Sequence, residues 1–189
     1  MRHGLTESNK RKVYAGWSDE ELSQEGIQSL WQSQKKIEKL NIEKIFTSPI
    51  RRAVQTAEIL NRFLNVPIEI LAEIKEMKMG PWEGLSEEEV AVKYPKQWRL
   101  WNVKPSKLLM YGRESLKELQ NRSLKGINKI KGQINNSNFL LITHVAIMRV
   151  LMIYYNGLSL DDYRKLDVQN ASIFKLDLND KNGKITKLI

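Results

Sequence analysis

Apolar residues at Ile27, Leu30, Ile37 and Leu40 fall near one face at helical spacing, and Ser23 is suited to cap their start, so the pattern predicts a helix from Ser23 to about Leu40. Residues 4–22, in front of it, read as a polar loop. Lys44-Ile45-Phe46-Thr47 is a short apolar run of buried-strand type. It leads into Ser48-Pro49, an N-cap residue followed by Pro at the first helical position, which predicts a helix from Pro49 to about Leu64 with Ala53, Ala57, Leu60 and Leu64 inward. A further short strand is predicted from Ile68 to Leu71. Residues 72–113 break the rhythm. Ser86 with Glu89 forms a capping box for a helix towards Tyr94, and Pro95 is expected to open a turn rich in Trp and Lys.

Ser115 with Glu118 is a second capping box, starting a long helix that carries Leu116, Leu119, Leu124, Ile127, Ile130 and Ile134. Phe139 to Thr143 is a continuous apolar strand with His144 at its C-terminal end, followed by a helix that Gly157 would cap. Ala171 to Leu178 and Lys184 to Ile189 read as a terminal hairpin across Asn182-Gly183. Strands alternating with helices imply an α/β fold, a mainly parallel sheet with helices on both faces. In such sheets ligands bind beyond the carboxyl ends of the strands, which groups His3, Ser48, the loop after Leu71 and His144. No repeat, linker or low-complexity stretch divides residues 1–189, so a single domain is expected.

Composition narrows the function. With 189 residues, 41% hydrophobic and 28% charged, the chain reads as an ordinary soluble domain. Its apolar runs are too short to span a bilayer, and residues 1–12 have no apolar signal core, so no membrane partner is expected and the cytoplasm is the default compartment. Zero Cys removes disulfides, thiolate metal sites and a Cys nucleophile. The net charge of +9 favours anionic partners, but the basic residues are dispersed, with Lys10-Arg11-Lys12 the only run of three. They are not interleaved with aromatics, so a small phosphorylated molecule is favoured over nucleic acid.

Only two histidines occur, His3 and His144. Arg2-His3-Gly4 combines a planar fork of donors for phosphate oxygens, an imidazole that titrates near neutrality and a residue allowing close backbone approach. On its own such a tripeptide is a weak motif. Four more segments answer it. Arg2-His3-Gly4-Leu5-Thr6 with Asn9, Gly16 and Asp19 resembles the opening of the histidine phosphatase (phosphoglycerate mutase-like) superfamily. Thr47 to Ala57, with Ser48-Pro49 and Arg52, is similar to its second motif, and Glu76 before Gly80-Pro81-Trp82-Glu83-Gly84 to its third. Gly112, Glu114-Ser115 and Arg122 match a fourth, and Leu141 to His144 with Arg149 the second histidine motif, ahead of Asn170-Ala171-Ser172.

The resemblance implies a three-layer αβα sandwich in which 72–113 is a substrate-covering insertion. It implies His3 as the nucleophile forming a phosphohistidine, with Arg2, Arg52 and a protonated His144 as a cationic cradle and Glu76 as proton donor and acceptor. Substrate binding falls to Arg2, Asn9, Arg52 and His144, although a polar loop residue such as Asn9 can equally serve only to shape a turn. Glu73 and Glu83 compete with Glu76, Glu83 being the better brace for the loop. Arg51 is expected outside the pocket. No metal or cofactor is implied. The short interval between Glu76 and His144 leaves little room for the long insertion of the mutases. The expectation is therefore a metal-independent phosphomonoesterase of histidine acid phosphatase type acting on a small phosphorylated metabolite. Phosphoglycerate mutase and a non-catalytic phospholigand-binding protein are the alternatives. A homodimer is the assembly considered, and the alcohol half of the substrate is left open.

Overall fold

The polar stretch after Gly4 is not all loop: Thr6 caps a short helix, α1 (Glu7–Lys10), its hydroxyl accepting from the Asn9 N–H. The computed structural model of the chain describes residues 1–134, 137–178 and 183–188. As the apolar spacing predicts, Ser23 caps α2 (Gln24–Glu38), its hydroxyl accepting from the Gly26 N–H. It leads into β1 (Ile42–Thr47), α3 (Arg51–Leu64) and β2 (Ile68–Ile70). Ser48 does not cap α3. The helix begins two residues after Pro49 with the apolar Ile50 at its cap, and the Ser48 hydroxyl accepts from Ile50 N–H at 3.3 Å while also meeting His144 Nε2 at 2.7 Å.

Both capping boxes form, at the starts of α4 (Glu87–Lys93) and α6 (Leu116–Lys131). Between them, the expected turn at Pro95 is instead a helix, α5 (Pro95–Val103), with Pro at its first position. The missing N–H of Pro has no partner to lose in a first helical turn, so Pro95 starts a helix as readily as it ends one. After β3 (Asn138–Ile142) comes α7 (Val145–Tyr155), with Gly157 at φ 66° two residues beyond its last turn. The hairpin is only two pairs long, β4 (Phe174–Lys175) against β5 (Thr186–Lys187), and Asn182 of its expected turn lies outside the described residues.

The main sheet runs β2-β1-β3 with parallel pairing throughout. Residues 1–3 extend it along β3: Thr143 N–H donates to Met1 O at 3.0 Å and His3 N–H to Thr143 O at 3.0 Å. Alternation along the strands divides the core into two layers. Ile45, Leu140 and Ile142 pack with Leu30, Ile37, Ala53, Ala57 and Leu60 of α2 and α3. Phe46, with Phe139 and Leu141 beside it, packs with Leu119, Ile127, Ile130, Ile147 and Val150 of α6 and α7. The result is the three-layer αβα sandwich, and it sets His3, Ser48 and His144 at neighbouring carboxyl ends of the sheet.

Gly26 shows how closely the first layer is fitted. A Cβ there would sit 2.2 Å from Leu5 O and 2.9 Å from Leu5 N, so α2 presses directly on the backbone that follows His3. Gly26→Ala should therefore destabilise the fold by about 1–3 kcal/mol, as overpacked sites do, despite the roughly 1 kcal/mol that Ala gains over Gly inside a helix. Urea unfolding measures this; a midpoint equal to or above wild type would mean that α2 can move away from Leu5 freely.

Candidate active site

The position of His3 follows from backbone pairing on both sides. Its N–H donates to Thr143 O, and its carbonyl accepts from Ala171 N–H at 3.1 Å and from Asn170 Nδ2 at 3.2 Å. The ring is 2% exposed. Nδ1 lies 2.7 Å from the Gly4 carbonyl oxygen, which can only accept, so Nδ1 carries the proton. Nε2 is then a lone-pair nitrogen, and it faces the Arg52 Nε–H at 3.2 Å. Burial first, then the charges of Arg52 and Arg2, hold the His3 pKa well below its ordinary 6.5, so the ring is neutral at physiological pH.

Arg52 is 2% exposed and forms no salt bridge with a carboxylate among the described residues. Its terminal nitrogens donate to Ser18 O at 3.1 Å and Gly16 O at 2.8 Å. Gly16 is required there: its φ is 49°, and a Cβ would meet the Glu83 carboxylate at 2.5 Å. Burial lowers the Arg52 pKa, opposed chiefly by Glu76. Arg51, the next residue in the helix, is exposed and pairs with Glu21. Arg2 donates to Val168 O at 2.7 Å, and burial lowers its pKa to about 10, a value at which it remains charged.

His144 is fully buried, with its ring centroid 5.2 Å from that of His3. It stands behind His3 rather than among the residues that line the cavity. Its Nε2 is 2.7 Å from Ser48 Oγ, and its Nδ1 has no hydrogen-bond partner among the described residues. The protonated ring expected with phosphate bound is not the state of the ligand-free site. Burial, then Arg52, His3 and Arg2, hold its pKa well below 6.5, so in the ligand-free site His144 is neutral and the cationic charge resides on the two arginines.

Glu76 is held by its backbone. Trp17 Nε1 donates to Glu76 O at 2.7 Å, and Arg122 reaches the carbonyls of Glu73, Lys75 and Glu76 while pairing with the Glu114 carboxylate. Burial raises the Glu76 pKa above 4.5, against opposing effects from Arg52, the Met77 N–H, Arg2 and the Ala146 N–H. The other two glutamates are engaged elsewhere. Glu73 pairs with Lys129, and Glu83 accepts from Met79 N–H at 3.2 Å.

Arg2, His3, Arg52 and Glu76 line one cavity of about 780 Å³, with Asn9, Lys12, Tyr14, Trp101, Arg149, Tyr163 and Arg164 around its outer part. That size suits a small metabolite. Asn9 accepts from Asn170 Nδ2 at 2.7 Å through its side-chain oxygen, which orients its amide. Among the described residues no three His, Asp or Glu side chains gather to hold a metal ion. Sequence reasoning grouped Ser48 with His3 and His144 at the ligand-binding strand ends but gave its hydroxyl only a capping role, and it assigned none to Asn170 or to the wall formed by Trp101 and Tyr163. For Ser48 the signal was available, as a hydroxyl at the same sheet end as His144.

A sequence model of the histidine phosphatase superfamily (branch 1) matches residues 1–189. Phosphoserine phosphatase 1 of Hydrogenobacter thermophilus is 27% identical over 188 residues, covering 100% of this chain and 89% of the relative. The uncharacterized phosphatase PhoE of Bacillus subtilis is 30% identical over 157 residues, 83% of this chain and 76% of the relative. The solved structure of YhfR from Bacillus stearothermophilus superposes with a TM-score of 0.87 at 25% identity, covering 100% of this chain and 93% of that one.

The shifted groups make stability pH-dependent with opposite signs. Each depressed His binds a proton in the unfolded chain below pH 6.5 but not in the folded one, so stability falls as pH drops from 6.5 towards the folded value. Glu76, whose folded pKa is raised, holds its proton in the folded chain above 4.5, so its contribution is present below 4.5 and is lost as pH rises through the folded value. Denaturation between about pH 5 and 6.5 should thus show a shallower acid loss in His144→Gln, by up to ~1.4 kcal/mol per pH unit, while Glu76→Gln should lose the stabilisation that wild type gains as pH falls from the folded Glu76 value towards 4.5. Parallel curves for His144→Gln and wild type would show that His144 titrates normally.

Proposed function

The chain belongs to the histidine phosphatase superfamily, branch 1, and from that premise we propose that it is a phosphoric monoester hydrolase that cleaves a small phosphorylated metabolite through a phosphohistidine on His3. One observation carries the reading: a neutral His3 with its proton fixed on Nδ1 by Gly4 O and its Nε2 lone pair beside a buried guanidinium. That is an imidazole prepared as a nucleophile next to the charge that a phosphoryl group needs.

The phosphoryl oxygens bind to Arg2 and Arg52, with Asn9 at the edge. Nε2 attacks phosphorus, the P–N bond forms and the P–O bond to the alcohol breaks. Glu76, whose carboxyl burial makes a weaker acid than usual, gives the departing oxygen its proton. The phosphorylated ring is cationic, and its Nδ1–H continues to donate to Gly4 O. His144, with Nε2 against Ser48 Oγ, backs the His3 ring from outside the cavity and helps to hold it in place. Water then attacks phosphorus and passes a proton to the Glu76 carboxylate as the P–N bond breaks, restoring both residues and releasing phosphate.

The arginines neutralise the transferring group, so no metal ion is part of the scheme. Residues 72–113 act as the cover, contributing Glu76, Glu87 and Trp101 to the cavity. The finer assignment to a histidine acid phosphatase type belongs to the same proposal. It rests on a nucleophile that stays unprotonated below pH 6.5 and an acid that stays protonated above 4.5. The cytoplasm, where a chain without Cys loses nothing by reduction, is the compartment this reading assumes.

The test is hydrolysis of p-nitrophenyl phosphate and alkyl phosphates in EDTA. Turnover should persist in the chelator and vanish in His3→Ala. Glu76→Gln should slow alkyl phosphates by about 10²–10⁴-fold, and p-nitrophenyl phosphate less in its first step, because that leaving group hardly needs a proton. An acid-labile phosphate should then accumulate on His3. Activity that is abolished by EDTA and restored by a divalent ion would overturn the scheme, and interconversion of 2- and 3-phosphoglycerate outpacing phosphate release would make the protein a mutase.

A further inference from the structure

Trp17 is 41% exposed, so burial does not account for a tryptophan in the polar 16–18 loop. Gly16 lines the cavity, while the Trp17 ring lies outside it. Its polar atom is what the fold uses: Nε1 donates to Glu76 O at 2.7 Å, across 59 residues of sequence. Lys75 and Lys78 set their ammonium groups 3.7 and 5.6 Å from the ring centre, which places the ring against the same segment.

The oxygen that Trp17 holds belongs to the peptide group between Glu76 and Met77. The N–H of that same group donates to Glu76 Oε1 at 2.7 Å. A trans peptide is planar, with its N–H opposite its C=O, so a donor that fixes the oxygen also fixes the direction of the N–H. Arg122 reaches this oxygen only at 3.4 Å, and its other donors are committed to Glu73 O, Lys75 O and the Glu114 carboxylate. Trp17 is thus the closer hold. It also stands between the two carbonyls, Gly16 O and Ser18 O, that accept from Arg52 at 2.8 and 3.1 Å. One short loop therefore grips both the phosphate-binding guanidinium and the peptide that aims the acid.

We infer that Trp17 is a positioning residue for the hydrolysis: by holding the 76–77 peptide plane it sets the Glu76 carboxyl at the leaving oxygen of a phosphoryl group seated on Arg52. This rests on the hydrolase reading above. Trp17 touches neither the substrate nor the reacting atoms and acts only through Glu76. It should therefore matter for the proton that Glu76 moves and not for the binding of the phosphate. Displacements of this kind are costly because proton transfer needs its donor within hydrogen-bond reach.

Trp17→Phe keeps a ring beside Lys75 and removes the N–H. With an alkyl phosphate in EDTA it should lower kcat about three- to tenfold, the range of one hydrogen bond, and leave KM within about twofold. The phosphorylation step on p-nitrophenyl phosphate, whose leaving group hardly needs a proton, should be nearly unchanged. In a Glu76→Gln background the same substitution should change nothing further, because a residue acting through Glu76 then has nothing to position. An equal slowing in both backgrounds, a wild-type kcat in Trp17→Phe, or a loss in Trp17→Leu alone, the mark of a ring contact, overturns the proposal. Hydrogen exchange on the wild-type protein tests it without a variant. The Trp17 Nε1–H should exchange at least about tenfold more slowly than a free indole despite its exposure. Exchange at the free rate overturns the proposal even if the substitutions unfold the chain. If wild type hydrolyses phosphomonoesters and Trp17→Phe is fully active, this assignment alone fails. If no phosphomonoester is turned over, or His3→Ala is as active as wild type, the hydrolase reading fails with it.

Discussion

The site depends on a buried guanidinium that makes no direct ion pair among the described residues. Arg52 is enclosed by the protein and satisfied by dipoles alone: one donor to the His3 ring and others to the carbonyls of Ser18 and Gly16. A carboxylate in that place would neutralise the charge and leave nothing for a phosphate dianion to meet. Carbonyl oxygens and a lone pair make the charge tolerable without cancelling it. The same donors tie three distant segments together, since α3 carries Arg52, the N-terminal segment paired along β3 carries His3, and the 16–18 loop closes over both.

Trp17 extends the linkage. Its indole donates to Glu76 O, and Lys75 lies 3.7 Å from the centre of its ring, so the loop held by Arg52 also fixes the segment that carries the proton donor. Arg122 holds the same segment from the other side through its carbonyls. Nucleophile, charge and acid are thus positioned mainly by backbone contacts. This suits a chemistry in which small displacements of the reacting groups are costly.

Much of this was legible in the sequence, for identifiable reasons. Helix starts were readable because caps are local: Ser23, Ser86 and Ser115 act through neighbours three residues on. Core alternation was readable because strand faces alternate, which separates Ile45 from Phe46 into opposite layers. What was not legible depends on partners remote in the chain. Ser48 has the local signature of a cap, but a histidine 96 residues away engages its hydroxyl. Pro95 has the signature of a turn, yet its packing continues as a helix. The charge of His144 is set by burial and by arginines on other elements, neither of which a motif records. The outer cavity belongs to the same class, because Trp101, Arg149 and Tyr163 meet only after folding.

The central claim is that His3 is held neutral with its proton on Nδ1, leaving Nε2 free to react. Two-bond ¹H–¹⁵N correlation NMR on the wild-type protein reads this directly, because a lone-pair nitrogen and a protonated one resonate far apart. At about pH 6, where a free imidazole is largely charged, His3 should show one protonated and one lone-pair nitrogen, with Nδ1 the protonated one. An imidazolium pattern at that pH, or a proton on Nε2, would contradict the account.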